Sequence, residues 1–239
     1  MLVGRLATLH FAPTLRNREN LLQEHTLGKI FVTGNTVIDA MRYTTVSDYH
    51  YEDPVLESLR DQAGKFVLMT AHRRENLGAP LTAICRAVLR LVDAVPDLHV
   101  VYPVHLNPAV RNTVYPLLSG HARIHLTEPV NLRDAHNFMA RCRFVMTDSG
   151  GIQEEATALG VPTLVLRRET ERGEGIETGI LKLVGVVEED VFQAARELAE
   201  NDSVHDKMSK SENPYGDGHA CEYIADAIAG YFNSKECVL

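Results

Sequence analysis

The chain has 239 residues, 45% hydrophobic and 23% charged, enough for one large domain or one domain plus a fragment with a real core. Its formal net charge of −8 disfavours a general nucleic-acid surface, which needs clustered Lys and Arg, but leaves room for a small anionic ligand held by loop amides and a few arginines. No apolar run approaches the roughly 18 residues of a membrane span, and Met1–Leu6 lacks the form of a signal peptide. The four cysteines (Cys85, Cys142, Cys221 and Cys237) form no CxxC pair and no zinc-like cluster. A cytoplasmic protein without a metal site is expected, with Cys85 and Cys142 as small apolar residues on helices.

In chain order, Leu9–Ala12 reads as a strand, Arg16–Glu24 as a helix and Ile30–Thr33 as a strand, followed by a hinge at Gly34-Asn35-Thr36. These pieces have too few partners to form a domain themselves. They look like the last βαβ of another domain, so residues 1–35 are expected to be a remnant, 36–218 the main domain and 219–239 a terminal helix. From Phe66 onward strands and helices alternate. Strands are expected at Phe66–Thr70, Leu98–Tyr102, Ile124–Leu126, Phe144–Met146, Thr163–Leu166 and Lys182–Val184. Helices are expected at Pro80–Val95, Pro108–Leu118, Leu132–Arg141, Ile152–Leu159, Glu188–Glu200 and Ala220–Phe232. Continuous apolar strands between helices indicate a Rossmann-like α/β fold: a parallel sheet with helices on both faces. Right-handed crossovers put every strand's C-terminal end on one edge, where such sheets bind ligands.

The loops at that edge hold the unusual polar residues. Asp148-Ser149-Gly150-Gly151 joins a strand directly to a helix. Its glycines let backbone amides approach a ligand, and the helix N-terminus suits a phosphate. Ser149 can donate its hydroxyl, and Glu155, one turn on, can face sugar hydroxyls. A tight turn capped by Ser149 is the structural alternative. The segment is neither a Walker A loop nor a GxGxxG fingerprint. His72-Arg73-Arg74-Glu75-Asn76 suits an anion and proton transfer, or is an ion-paired surface loop. His105 is a hydrogen-bonded structural histidine or a ligand contact. Arg172 is a phosphate or sugar contact, or pairs with Glu174.

Taken together, Thr70–Asn76, Tyr102–Pro108, Thr147–Glu155, Asn213–Gly218, Gly34–Asp39 and His10–Thr14 resemble the non-hydrolysing UDP-N-acetylglucosamine 2-epimerases, in order and over nearly the whole chain. The resemblance implies the C-terminal half of a glycosyltransferase-B architecture, with the family's N-terminal domain largely outside this chain. It implies interconversion of UDP-GlcNAc and UDP-ManNAc through UDP elimination and re-addition, with no cofactor. It makes Ser149, Gly150, Gly151, Glu155 and Arg172 the UDP-binding group and His72 the catalytic-site histidine. Arg73 and His105 correspond to residues that hold a second, activating UDP-GlcNAc in bacterial members. It further implies a homodimer or a partner supplying the other domain, because the acidic groups that move the C2 proton belong to that domain. Alone, the chain is expected to be inactive. The alternatives are a non-catalytic UDP-binding fragment and the C-terminal half of a glycosyltransferase. Three positions depart from the family pattern: Ala135 where an aromatic near the uracil is common, Gly173 for proline, and Ile180 for a small hydroxyl residue.

Overall fold

A computed structural model describes residues 2–62 and 64–236. Cys237 lies outside the described residues. The chain divides into two compact units, one from residues 1–43 with 213–239 and one from residues 44–212.

The larger unit holds six strands: β3 Lys65–Thr70, β4 Leu98–Pro103, β5 Ile124–Thr127, β6 Phe144–Thr147, β7 Thr163–Val165 and β8 Leu181–Leu183. They form one all-parallel sheet in the order β5-β4-β3-β6-β7-β8. The order follows from the composition of each strand. β6 and β7 are buried along their whole length, and β3 and β4 at all but one or two residues, so they need helices on both faces. The outermost strands close the sheet: β5 leaves two residues half-buried and β8 leaves two exposed. One face packs Val67, Met69, Val100, Tyr102 and Met146 under helices Ala79–Ala94 and Glu188–Glu200. The other packs Phe66, Leu68, Val101 and Val145 under helices Leu132–Ala140 and Gly150–Ala158.

The chain runs outward from β3 through β4 to β5, then returns to the far side of β3 to start β6. The strand order therefore reverses between β3 and β6, the point in such sheets beside which ligands bind. That reversal is what positions the site.

The smaller unit pairs two parallel strands, β1 Leu9–Ala12 and β2 Lys29–Val32, across helix Leu15–Gln23, which Thr14 caps by accepting from the Asn17 amide at 3.1 Å. The segment expected to be a hinge is a close backbone crossing. Gly34 has φ +83° and Gly216 φ +127°, and a Cβ on Gly34 would lie 3.1 Å from the Gly216 Cα. The Asn35 amide donates to the Tyr215 carbonyl at 2.8 Å. Asp39 then accepts from the amides of Ala220 (3.0 Å) and Cys221 (2.8 Å), capping helix Ala220–Glu236. Burial opposes ionisation of Asp39, but these bonds hold its pKa below the usual range.

Expected and observed elements agree within about two residues, except that the last helix, expected at Ala220–Phe232, runs on to Glu236. Helices Leu2–Leu6, Thr36–Thr44, Pro54–Ser58, Gly173–Thr178 and Asp202–Ser209 lay outside the sequence reading. Cys85 is buried on a helix, where burial pushes its thiol up to about 12. Cys142 is buried too, but it sits just past the end of helix Leu132–Ala140 rather than on it. No described helix is long and apolar enough to cross a membrane.

Candidate nucleotide-binding site

Asp148 organises the crevice. It lies at the end of β6 and is fully buried. Its Oδ2 accepts from the backbone amides of His72 (2.9 Å) and Arg73 (2.8 Å) and from Asn76 Nδ2 (2.9 Å). Asn76 uses its other hydrogen on the Leu166 carbonyl at 2.9 Å, so the loops after β3, β6 and β7 are tied at one point. A second tie joins Thr70 Oγ1 and Thr147 Oγ1 at 2.6 Å, and Tyr102 donates to the Ala71 carbonyl at 2.6 Å. Asp148 was read from sequence only as part of a turn. Nothing in the composition distinguishes it there, because its partners are backbone amides brought together by the fold.

Helix Gly150–Ala158 starts immediately after Ser149, so Gly150 and Gly151 form its first turn and their amides have no intrahelical acceptor. Ser149 sits at the cap position with φ −82° and ψ 129°, yet its hydroxyl makes no cap bond. The turn is as tight as expected, but the serine does not close it. The uncapped helix end is left with a partial positive charge and free donors, the arrangement that binds phosphate.

Charged side chains converge on this end. A Cβ on Gly150 would lie 3.2 Å from Glu171 Oε1, 3.5 Å from Arg172 Nη2 and 3.6 Å from Arg73 Nη2. Glu171 accepts from Arg167 at 2.6 Å and from Arg73 at 3.4 Å, with Arg172 at 3.8 Å. Burial opposes ionisation of Glu171, but its own amide and Arg167 hold its pKa below the usual range. Arg172 also pairs with the nearly buried Glu154. A carboxylate thus rests among three guanidiniums at the mouth of the helix, where a ligand's phosphates would be expected.

His72 faces the crevice from the other side. Its ring stacks on that of His105, with centroids 4.9 Å apart and planes 7° from parallel. Burial lowers the His72 pKa below its ordinary 6.5; His105 and Arg73 push the same way and Asp148 opposes them. His72 is therefore neutral at pH 7. His105 is exposed, and its Nδ1 accepts from the Asn107 amide at 3.0 Å, so it is hydrogen-bonded within its loop while its ring covers His72. Glu155, one turn into the helix, is largely covered and lies 3.5 Å from His136 Nε2. Ile180 packs in a small apolar cluster with Val165, Leu181 and Ile176, which accounts for an aliphatic residue there. Ala135 is half-buried beside His136.

The sheet order and the loops at its reversal point define a Rossmann-like α/β unit of the nucleotide-binding type. A family model described as UDP-N-acetylglucosamine 2-epimerase matches residues 1–229. The chain is 47% identical over 236 residues to the Bacillus subtilis UDP-N-acetylglucosamine 2-epimerase, covering 98% of this chain and 61% of that protein. Its fold superimposes on S. aureus MnaA in a UDP co-structure with a TM-score of 0.89 and 49% identity, over 97% of this chain and 63% of that one. It also superimposes on the Neisseria meningitidis UDP-GlcNAc 2-epimerase bound to UDP-GlcNAc with a TM-score of 0.84 and 37% identity, over 96% and 63%. The chain belongs to the UDP-N-acetylglucosamine 2-epimerase family. It spans about three fifths of the length of these relatives.

Proposed function

We propose that this chain is the UDP-binding half of an enzyme that interconverts UDP-GlcNAc and UDP-ManNAc by elimination and re-addition of UDP. The observation that carries the proposal is the uncapped helix end at Gly150–Gly151, approached by Arg73 and Arg172, with Arg167 behind them on Glu171, at the reversal point of the sheet. Elimination places charge on the β-phosphate, and preorganised amides and guanidiniums stabilise it without reorganising. Ser149 adds a hydroxyl left free by the absence of a cap bond. Glu155 lies on the next turn, placed to accept from ribose hydroxyls. His72, neutral and flanked by the buried Asp148, is a proton carrier at the crevice.

Of the two residues matched to an activating second nucleotide sugar, Arg73 extends toward the Gly150 cradle, which supports phosphate contact with the leaving UDP itself. His105 stacks on His72 and keeps one ring edge toward solvent, which is compatible with a second ligand. Inversion at C2 needs a base on one face and an acid on the other. The carboxylates around the crevice are already engaged: Asp148 by amides, Glu154 by Arg172, Glu171 by three arginines and Glu75 by Arg167. None of these four is therefore assigned to the C2 acid/base pair. Two buried cysteine thiols and an unpaired Cys221 support a reducing, cytoplasmic setting.

The reading is tested by titrating the chain with uridine, UMP and UDP in turn. Affinity rises at each added phosphate, most at the second, and falls with salt. Equal affinity for uridine and UDP would remove the phosphate cradle from the account.

A further inference from the structure

His136 is the residue of this region that neither the sequence motifs nor the proposed chemistry uses. It sits on helix Leu132–Ala140, and its side chain is completely buried. Its Nδ1 is 2.7 Å from the Thr44 hydroxyl. Its Nε2 has no hydrogen-bond partner and lies 3.5 Å from Glu155 Oε2. A carboxylate only accepts, so the ring nitrogen facing it carries the hydrogen, and Nδ1 accepts from the Thr44 hydroxyl. A buried N–H without a partner is costly, and native structures keep few of them. Here the Glu155 carboxylate lies close by, 3.5 Å from the nitrogen. Glu155 is mostly covered as well.

We propose that His136 is a positioning residue for Glu155. Its Nε2–H holds one carboxylate oxygen from behind, and the other oxygen is turned outward to accept from a ribose hydroxyl of UDP. The proposal rests on the reading of Glu155 as the ribose contact. The ring is itself oriented by Thr44, so the order of support is Thr44, His136, Glu155, ligand. Nothing about His136 touches the reacting atoms.

The test compares the full chain with His136→Leu, His136→Gln and His136→Asn, titrating each calorimetrically with UDP and with UDP lacking the 2′ or the 3′ hydroxyl. The wild-type chain is expected to bind the worse of the two deoxy nucleotides at least about tenfold more weakly than UDP, the loss of one hydrogen bond to a charged acceptor. In His136→Leu that discrimination falls to about twofold or less, through weaker UDP binding, while deoxy-UDP affinity is nearly unchanged. His136→Gln carries an amide nitrogen at the same reach and restores most of the ratio. His136→Asn, with the same chemistry and a shorter reach, does not. Glu155→Ala abolishes discrimination by itself, and His136→Leu added to it has no further effect. If His136→Leu does not fold, the Gln and Asn pair decides the matter alone. A wild-type ratio kept in His136→Leu or His136→Asn overturns the proposal, as does an equal loss for both nucleotides, which marks a merely structural role. A wild-type ratio of one overturns the ribose reading of Glu155 first, and the role of His136 with it.

Discussion

Replacing Asp148 by alanine removes the acceptor that ties the loop after β6 to the loop after β3. The carboxylate is fully buried, and three donors point at it within 2.9 Å. Asn76 is also buried and keeps only its bond to the Leu166 carbonyl after the change. Hydrogen bonds to a charged group contribute about 1.5–3 kcal/mol each, and some of this is recovered when water reaches the His72 and Arg73 amides. A net loss of about 3–5 kcal/mol is expected. For a protein of this size each kcal/mol moves the melting temperature by roughly 2–4 °C, so Tm falls by about 6–20 °C. Asp148→Asn keeps the shape and one accepting oxygen and costs about half as much. Thermal melts by circular dichroism read the stability, and calorimetry reads UDP binding, which weakens at least about tenfold because the His72-Arg73 loop loses its anchor. A Tm within 2 °C of wild type, or unchanged UDP affinity, would refute the view of Asp148 as the tie between the two loops.

Three further outcomes follow from the same geometry. His72 has its pKa lowered in the fold, so the unfolded chain binds the proton more readily; stability is highest above about pH 6.5 and is lost as pH falls toward the folded-state value. Proton NMR of the imidazole should show it titrating below 6.5, lower still in Asp148→Asn and higher in Arg73→Gln; a shift of the opposite sign in either variant contradicts the assignment of causes. Glu171→Gln removes the carboxylate resting in the cradle and frees its arginines, so UDP should bind several-fold more tightly; weaker binding would show that Glu171 organises the arginines rather than competing with the phosphate. The 239-residue chain alone should leave UDP-GlcNAc unconverted when followed by NMR, and steady formation of UDP-ManNAc would place the C2 acid/base pair within it.

The sheet was legible from sequence because its strands carry unbroken apolar runs between amphipathic helices, and β3, β4, β6 and β7 are buried accordingly. The edge carrying the candidate site was legible for the same reason, since parallel crossovers put every strand's C-terminal end there. What was not legible is the wiring between loops. Asp148 bonds to amides some 75 residues away, and Arg172 pairs with Glu154 on the helix that follows β6. His136 lies within an ordinary amphipathic helix, where a histidine reads as one more polar residue until burial and a facing carboxylate distinguish it. Gly34-Asn35-Thr36 read as a hinge because glycine marks both flexible joints and tight crossings; the positive φ and the nearby Gly216 backbone show the latter. The short helices at Pro54–Ser58 and Gly173–Thr178 are too brief to show a period.

The central claim is that the helix end at Ser149–Gly151 and Glu155 hold UDP. It is tested most directly by calorimetric titration of the chain with UDP, beside Ser149→Ala and Glu155→Ala. The account predicts saturable one-site binding, weakened about five- to a hundredfold by either change while the melting temperature of the free chain stays within a few degrees. Absence of UDP binding to the intact chain, or binding indifferent to both substitutions, would contradict it.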